Sequence, residues 1–183
     1  MNLRRRLAGV VLVLLPVLAA LVWYVWSPRM ALVALTDFDA DPADIARLYV
    51  REDVRAGFGA QTMPQVDTYP PPLTKDVVLD ALSDPRSVRM LVAEPYGEWQ
   101  FAAWEGLPQR LRAEVSAAQG AAQESMPSMP RVLETTKDWT IERRGISEFV
   151  ARAADRPRSK TYRFVRRGLS WRLVEIDLGT AIR

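Results

Sequence analysis

The most constraining feature of this chain is an uncharged run of residues, 7–26, that follows Arg4, Arg5 and Arg6. At a rise of about 1.5 Å per residue, a helix of this length spans the apolar core of a bilayer. The run closes with three aromatic residues of the kind that favour the membrane–water interface: Trp23, Tyr24 and Trp26. The sequence therefore predicts a cytoplasmic tip and membrane span in residues 1–26, followed by one domain in residues 27–183.

The three arginines also predict the orientation of the span, because positive charge beside a span is retained in the cytoplasm. We expect a cytoplasmic N-terminus and, in a Gram-negative bacterium, a periplasmic domain anchored in the inner membrane. A cleaved signal peptide is the alternative. It is disfavoured because large apolar residues continue for six positions beyond Ala19 and Ala20, which form the best cleavage candidate.

Composition excludes several classes of function. The net charge of +3 does not indicate a nucleic-acid binder, since the three anchor arginines account for all of it and the other 22 basic residues balance 22 acidic ones. The chain has no cysteine and no histidine, which excludes disulfides, histidine-dependent triads and histidine-based zinc or haem sites. We expect no cofactor, no metal and no nucleic-acid partner. An enzyme that uses carboxylates alone is ranked last, because no carboxylate spacing favours it.

Short helices are predicted between residues 27 and 130. Ser, Thr and Asp cap the first turn of a helix, and proline is favoured at its first position. We therefore expect helix starts at Ser27-Pro28, Asp41-Pro42, Thr74 and Asp84-Pro85. The stretch 99–104 is ambiguous between strand and turn, whereas 107–123 has a helical pattern.

The last fifty residues change to the period of two that is typical of strands, which we expect at 132–143, 147–153, 160–166 and 170–178. Gly168 is the expected turn residue with positive φ between the last two strands. From Val174 the apolar positions change parity, which predicts a bulge or a strand covered on both faces. Helices first and an antiparallel sheet last indicate an α+β fold.

Both ends of the chain resemble a bacterial membrane-anchored family to which no activity is assigned. Its members begin with Tyr-x-x-Ser-Pro-Tyr-x-Ala-Leu and end with Arg-x-Gly-Leu-x-Trp-Lys-Leu, patterns similar to residues 24–32 and 166–173 here. This chain departs from the patterns at Arg29, where the family has an aromatic residue, and at Arg172, where it has lysine. A looser similarity to the nuclear-transport-factor-2-like fold implies a sheet that curls into a cone around a pocket.

Three groups of residues have two interpretations. Four clustered aspartates suit calcium, but the EF-hand spacing is absent, so helix capping is favoured: Asp37, Asp39, Asp41 and Asp44. Four tryptophans could line a pocket, but core packing is favoured: Trp99, Trp104, Trp139 and Trp171. Two arginine pairs directly precede glycines: Arg143-Arg144 and Arg166-Arg167. They are interpreted either as solvated turns, which is favoured, or as a site for an anion or a lipid headgroup.

Charge is distributed unevenly along the domain. Residues 27–130 carry 9 basic and 15 acidic side chains, whereas residues 131–183 carry 13 basic and 7 acidic ones. Mutual attraction between the halves is one interpretation, and it is worth little at an exposed surface. The other is a dipolar domain whose basic sheet faces anionic headgroups or an acidic partner.

Taken together, these patterns predict a non-catalytic accessory or assembly subunit of a bacterial membrane protein complex. Its partners would be the lipid bilayer and a membrane protein. Small residues let helices pack closely in lipid, and aromatic and basic residues mark the interface, so the partner-binding candidates are Gly9, Ala20, Trp23, Trp26 and Arg29. The alternative is a membrane-anchored binding module that holds an apolar or lipid ligand in a curled sheet.

Overall fold

Helices come first and a sheet last in the computed structural model, which describes residues 3–61, 72–119, 138–154 and 159–179. The helices are α1 (Leu3–Thr36), α2 (Pro42–Ala46), α3 (Arg51–Ala60), α4 (Lys75–Leu82), α5 (Pro85–Ala93), α6 (Trp99–Gly106) and α7 (Gln109–Gln119). The strands are β1 (Trp139–Arg143), β2 (Glu148–Ala153), β3 (Thr161–Arg167) and β4 (Ser170–Asp177). This order confirms the predicted α+β layout; the part of the first expected strand before residue 138 lies outside the described residues.

The first helix, α1, is continuous and passes through both Pro16 and Pro28. The predicted helix start at Ser27-Pro28 is therefore wrong. Within the described residues, one segment, Leu14–Thr36, is long and apolar enough to cross a membrane. Because α1 continues past the end of the apolar run, this segment and the first helix of the domain form a single element.

Three predicted caps are confirmed. The side chains of Asp41, Thr74 and Asp84 accept hydrogen bonds from backbone N–H groups of the following helix, at 2.7, 3.4 and 3.0 Å. These bonds satisfy N–H groups that the start of a helix leaves without a partner, so these starts follow from the local sequence alone.

The stretch predicted to be strand or turn is a helix, α6. Its buried residues are Trp99, Ala102, Ala103 and Gly106, which recur with the spacing of one helical face. The pattern escaped prediction because three of these four residues are small and add little to an apolar periodicity. Their size allows α6 to lie close to α4 and to the first turns of α5: a Cβ on Gly106 would fall 2.0 Å from the carbonyl oxygen of Ala81.

The sheet is an open antiparallel meander in the order β1-β2-β3-β4. Gly168 turns the chain between β3 and β4 with a φ of 65°, as predicted. The parity change is also confirmed, because Arg163 pairs with Glu175 and Phe164 pairs with Leu173, so Val174 between them is an extra residue on β4. The bulge lets both Leu173 and Val174 be buried.

The core lies between the helices and one face of the sheet. Fully buried aromatic and aliphatic side chains of the sheet meet the helices there: Phe149, Tyr162, Phe164, Leu173 and Ile176. From the helical side, α1 contributes Leu32 and Leu35, both of which are fully buried. The C-terminal end of the apolar helix is therefore part of the domain core.

A buried lysine joins the sheet to the loop between α5 and α6. The ammonium of Lys160 donates hydrogen bonds to the carbonyls of Glu94 and Gly97, and its side chain is nearly inaccessible to solvent. Burial lowers the pKa of Lys160 from 10.5 to about 8, although the Glu94 carboxylate opposes the change.

The stability of the domain should rise with pH because of Lys160. Between its folded pKa of about 8 and its unfolded value of 10.5, the unfolded chain binds more protons, so the free energy of unfolding increases with pH. We expect a gain of about 2 kcal/mol between about pH 7 and pH 9.5, measured by urea unfolding in detergent. In Lys160→Met the gain should disappear. An equal slope in the variant would contradict this assignment.

Candidate functional site

Aromatic and cationic side chains meet where the apolar run of α1 leaves the predicted membrane region. Trp23 and Trp26 are exposed on α1, and Trp26 has 61% of its surface open. The hydroxyl of Tyr24 donates to the carbonyl of Gly145, in the turn between β1 and β2, at 3.4 Å. The sheet therefore contacts α1 at the level of these aromatic residues.

Pro28 creates one of the contacts between α1 and the sheet. Proline has no N–H, so the carbonyl of Tyr24, four residues earlier, has no helical partner. That carbonyl accepts hydrogen bonds from Arg143 Nη2 on β1 and from Ser27 Oγ, the latter at 3.5 Å. Arg143 also donates to the carbonyl of Val25 at 3.3 Å. Pro28 therefore exposes a helix carbonyl to the arginine that binds it.

The two arginines that face α1 stack on aromatic rings. The guanidinium of Arg143 lies 3.9 Å from the centre of the Tyr24 ring. The guanidinium of Arg166 lies 4.6 Å from the ring centres of both Trp23 and Trp171. We call these five residues the cation–aromatic cluster; such contacts are worth about 0.5–2 kcal/mol each, more when they are desolvated.

Trp171 connects the cation–aromatic cluster to the core. Its ring is 5% exposed and packs edge-on against Phe149, with ring centres 4.8 Å apart. Its indole N–H donates to Ser27 Oγ at 2.9 Å, which explains why a serine on α1 is buried. The core role predicted for the four tryptophans is confirmed for Trp171 and Trp99, which are buried. Trp104 and Trp139 are half-buried.

Beside the cluster, an open groove of about 540 Å³ separates α1 from the edge strand β1. It is lined by Val25, Trp26, Arg29, Trp139, Ile141 and Arg143. Aromatic and aliphatic side chains provide an apolar surface, and the two arginines provide positive charge. The groove therefore suits an amphipathic anion better than a purely apolar ligand.

The positive charge of this site is not neutralised by carboxylates of the described residues. Neighbouring arginines do have such partners: Arg144 lies 3.6 Å from Glu148, and Arg167 lies 3.3 Å from Asp53. Within the described residues, Arg143 and Arg166 have no ion pair, and some of their buried N–H groups have no hydrogen-bond partner. Their charge is balanced in part by the aromatic rings.

In the described part of the chain, few ion pairs connect the acidic half of the domain (residues 27–130) with the basic half (residues 131–183). Of the ion pairs within the described residues, Arg167–Asp53 alone connects residues of the helical half with the sheet half. The others join carboxylates and arginines of the same half, as Arg55 does with Asp76 and Asp80. Mutual attraction between the halves is therefore a minor contribution to stability.

The sequence-predicted binding residues divide between this site and the apolar part of α1. Trp23 belongs to the cation–aromatic cluster, and Trp26 and Arg29 line the groove. Ala20 is exposed on α1, one turn before Trp23, and Gly9 lies on the same helix near its start. The sequence did not predict that Arg143 and Arg166 stack on α1; the available signal was the repeat of Arg-Arg-Gly in the two turns.

The chemistry of the aspartate cluster agrees with the capping interpretation. Asp41 caps α2, and Asp37 accepts a hydrogen bond from the backbone N–H of Asp39 at 3.0 Å. In the described part of the chain, no three acidic side chains come together as a group that could hold a metal ion. What the described site offers is fixed positive charge beside aromatic and aliphatic surface.

No protein-family model, curated protein or solved structure matches this chain. The resemblance to the membrane-anchored family and the similarity to the nuclear-transport-factor-2-like fold therefore stay predictions.

Proposed function

We propose that this protein is a non-catalytic accessory or assembly subunit of a bacterial membrane protein complex. Its single span lies in the inner membrane, with Arg4–Arg6 in the cytoplasm and the α+β domain in the periplasm. The span and the residues just beyond it bind a membrane protein partner. The positive charge of the three arginines supports this orientation.

One observation carries the proposal: α1 continues from the apolar run into the domain core. Leu14, Leu18 and Leu21 are exposed on the apolar part of the helix, whereas Leu32 and Leu35 are buried in the core. A partner that packs against the span therefore also sets the position of the domain, because the connection is helical rather than a flexible linker. This coupling favours a subunit over a domain that is merely tethered.

The face of the span that packs against the partner is the one that carries Gly9 and Ala20. These residues are 11 positions apart, which is close to three full helical turns, so they share a face of α1. Lipid provides no hydrophobic drive for helix association, and small residues allow the close contact that replaces it.

Replacing both small residues with leucine should remove the partner. Gly9→Leu with Ala20→Leu covers that face while keeping the span apolar, so the protein should still insert in the membrane. In mild detergent, we expect the wild type to co-purify with a stoichiometric membrane protein that the double variant loses. Val11→Leu with Val22→Leu is the matched control, because these residues also lie 11 positions apart, on the opposite face. Retention of the partner by the Gly9/Ala20 variant would rule out this face.

A second candidate function is the membrane-anchored binding module. The groove beside β1 favours it, because that groove offers two tryptophans and two arginines to an amphipathic ligand. The groove lies between α1 and the sheet edge, whereas the sheet face that a cone would line is filled by Phe149 and Phe164. Co-purification of a stoichiometric lipid without a protein partner would favour this function over the first.

A further inference from the structure

Two turns of the sheet carry the same four-residue pattern. Arg143-Arg144-Gly145-Ile146 begins at the last residue of β1, and Arg166-Arg167-Gly168-Leu169 begins within the last two residues of β3. Both glycines have positive φ, 83° at Gly145 and 65° at Gly168, and in each connection the apolar residue directly follows the glycine. We call residues 144–147 and 167–169 the hairpin tips.

Both hairpin tips lie at the end of the sheet that faces the apolar run of α1. In an antiparallel meander the first and third turns share one end of the sheet, and the second turn lies at the other. Tyr24 bonds the carbonyl of Gly145, and Arg166 stacks on Trp23, which fixes this end to the last turn of the apolar run. If α1 spans a membrane, the tips are at the depth of its interface.

The hairpin tips carry two large apolar side chains that are strongly exposed. Ile146 is 73% exposed and Leu169 is 82% exposed, more than any leucine or valine of α1 from Leu14 onward. A single exposed apolar residue needs no explanation. Two that follow the glycine of the same sequence pattern, in connections at the same end of the sheet, favour a surface that another apolar phase covers.

The charge around the hairpin tips complements a lipid headgroup layer. Arg143 and Arg166 carry no ion pair within the described residues, and Arg29, which lines the groove, is exposed. Aromatic residues at this level, Trp23 and Trp26, favour the same interfacial layer. Apolar tips flanked by uncompensated cations and aromatic rings match an interfacial layer that contains the ends of acyl chains, the glycerol groups and the phosphates.

We propose that the hairpin tips form a second contact with the membrane. Ile146 and Leu169 enter the interfacial layer beside the span, and Arg29, Arg143 and Arg166 attract the phosphates of anionic phospholipids. The inference rests on the proposed membrane span but requires no protein partner. With one helix and two tips in the bilayer, the domain is held at three points and presents a fixed face to the periplasm.

Fluorescence quenching in vesicles tests this contact directly, because the chain has no native cysteine to interfere with labelling. The full-length protein carries a single labelled cysteine at Ile146→Cys or Leu169→Cys and is reconstituted in phosphatidylcholine–phosphatidylglycerol vesicles. Phe38→Cys, an exposed apolar position two residues beyond the C-terminal end of α1, is the matched control for the domain. Val17→Cys reports on the span itself.

Nitroxide lipids labelled near the headgroup should quench both tip positions strongly and leave Phe38→Cys unquenched. Nitroxides deep in the acyl chains should quench Val17→Cys most. Replacing phosphatidylglycerol with phosphatidylcholine should lower the quenching at the tips, since each arginine near an anionic surface contributes a factor of about five in occupancy. Arg29→Gln should reduce this lipid dependence by about one such factor.

The control positions separate the possible failures. If Val17→Cys is quenched but both tips behave like Phe38→Cys, the span is inserted and the proposed tip contact is overturned. If Val17→Cys is not quenched, the membrane span itself fails, and the tip contact fails with it. Tip quenching that is equal in both lipids would overturn the role assigned to the arginines.

Discussion

Trp171→Ala should destabilise the domain by about 3–5 kcal/mol, the cost of removing a buried aromatic side chain. The ring is 5% exposed, packs against Phe149 and supports the guanidinium of Arg166. Its removal also leaves Ser27 Oγ without its donor. The measurement is urea unfolding of the full chain in mild detergent, followed by circular dichroism, with the midpoint and slope compared with those of the wild type.

Two further variants make the Trp171 result specific. Trp26→Ala removes a tryptophan of the same helix–sheet region that is 61% exposed, so its effect should stay within about 0.5 kcal/mol. Trp171→Phe keeps an aromatic ring but loses the bond to Ser27 Oγ, for which we expect an intermediate loss. Equal, small effects of Trp171→Ala and Trp26→Ala would contradict the position of Trp171 in the core.

Gly106→Ala is expected to cost at least about 3 kcal/mol, or to prevent folding of the domain. The added Cβ would lie 2.0 Å from the carbonyl oxygen of Ala81 and 2.2 Å from Ser87 Oγ. Backbone at such a distance cannot give way without separating α6 from α4 and α5. The measurement is again urea unfolding in detergent, together with the yield of folded protein.

The control for Gly106 is another helical glycine. A Cβ on Gly59 in α3 would meet only Leu79 Cδ1, at an ordinary contact distance of 3.7 Å. Gly59→Ala should therefore stabilise the domain by about 0.4–1 kcal/mol, because alanine loses less backbone entropy on folding. If both substitutions stabilise the protein, the close approach of α6 to Ala81 is wrong.

The span proposal and the tip proposal concern different surfaces of one region. In the first proposal, the face with Gly9 and Ala20 binds a protein. In the second, Ile146 and Leu169 contact lipid. A protein partner lost in the leucine variants would leave the quenching at the tips unchanged. The continuity of α1 makes the two contacts compatible, because the tips are fixed to the helix through Tyr24.

Local sequence determined the parts of the fold that depend on neighbouring residues. Asp41, Thr74 and Asp84 predicted their helix starts because a cap bonds N–H groups only two or three positions away. Gly168 predicted its turn because positive φ favours glycine, and the parity change at Val174 predicted the bulge because strand side chains alternate. The uncharged run predicted the apolar helix, because the length and composition of a segment are enough to identify such a helix.

Tertiary contacts decided the features for which local signals conflict. Ser27-Pro28 has the composition of a helix start, yet the helix continues, because the carbonyl freed by Pro28 finds a donor in Arg143, 119 positions from Tyr24. Likewise, the buried face of α6 consists mainly of small residues, which allow another helix to approach closely. A search for periodic large apolar residues does not detect such a face. The cation–aromatic cluster requires that α1 is unbroken and that the sheet packs against it. Only then do Arg143 and Arg166 reach the rings of Tyr24 and Trp23.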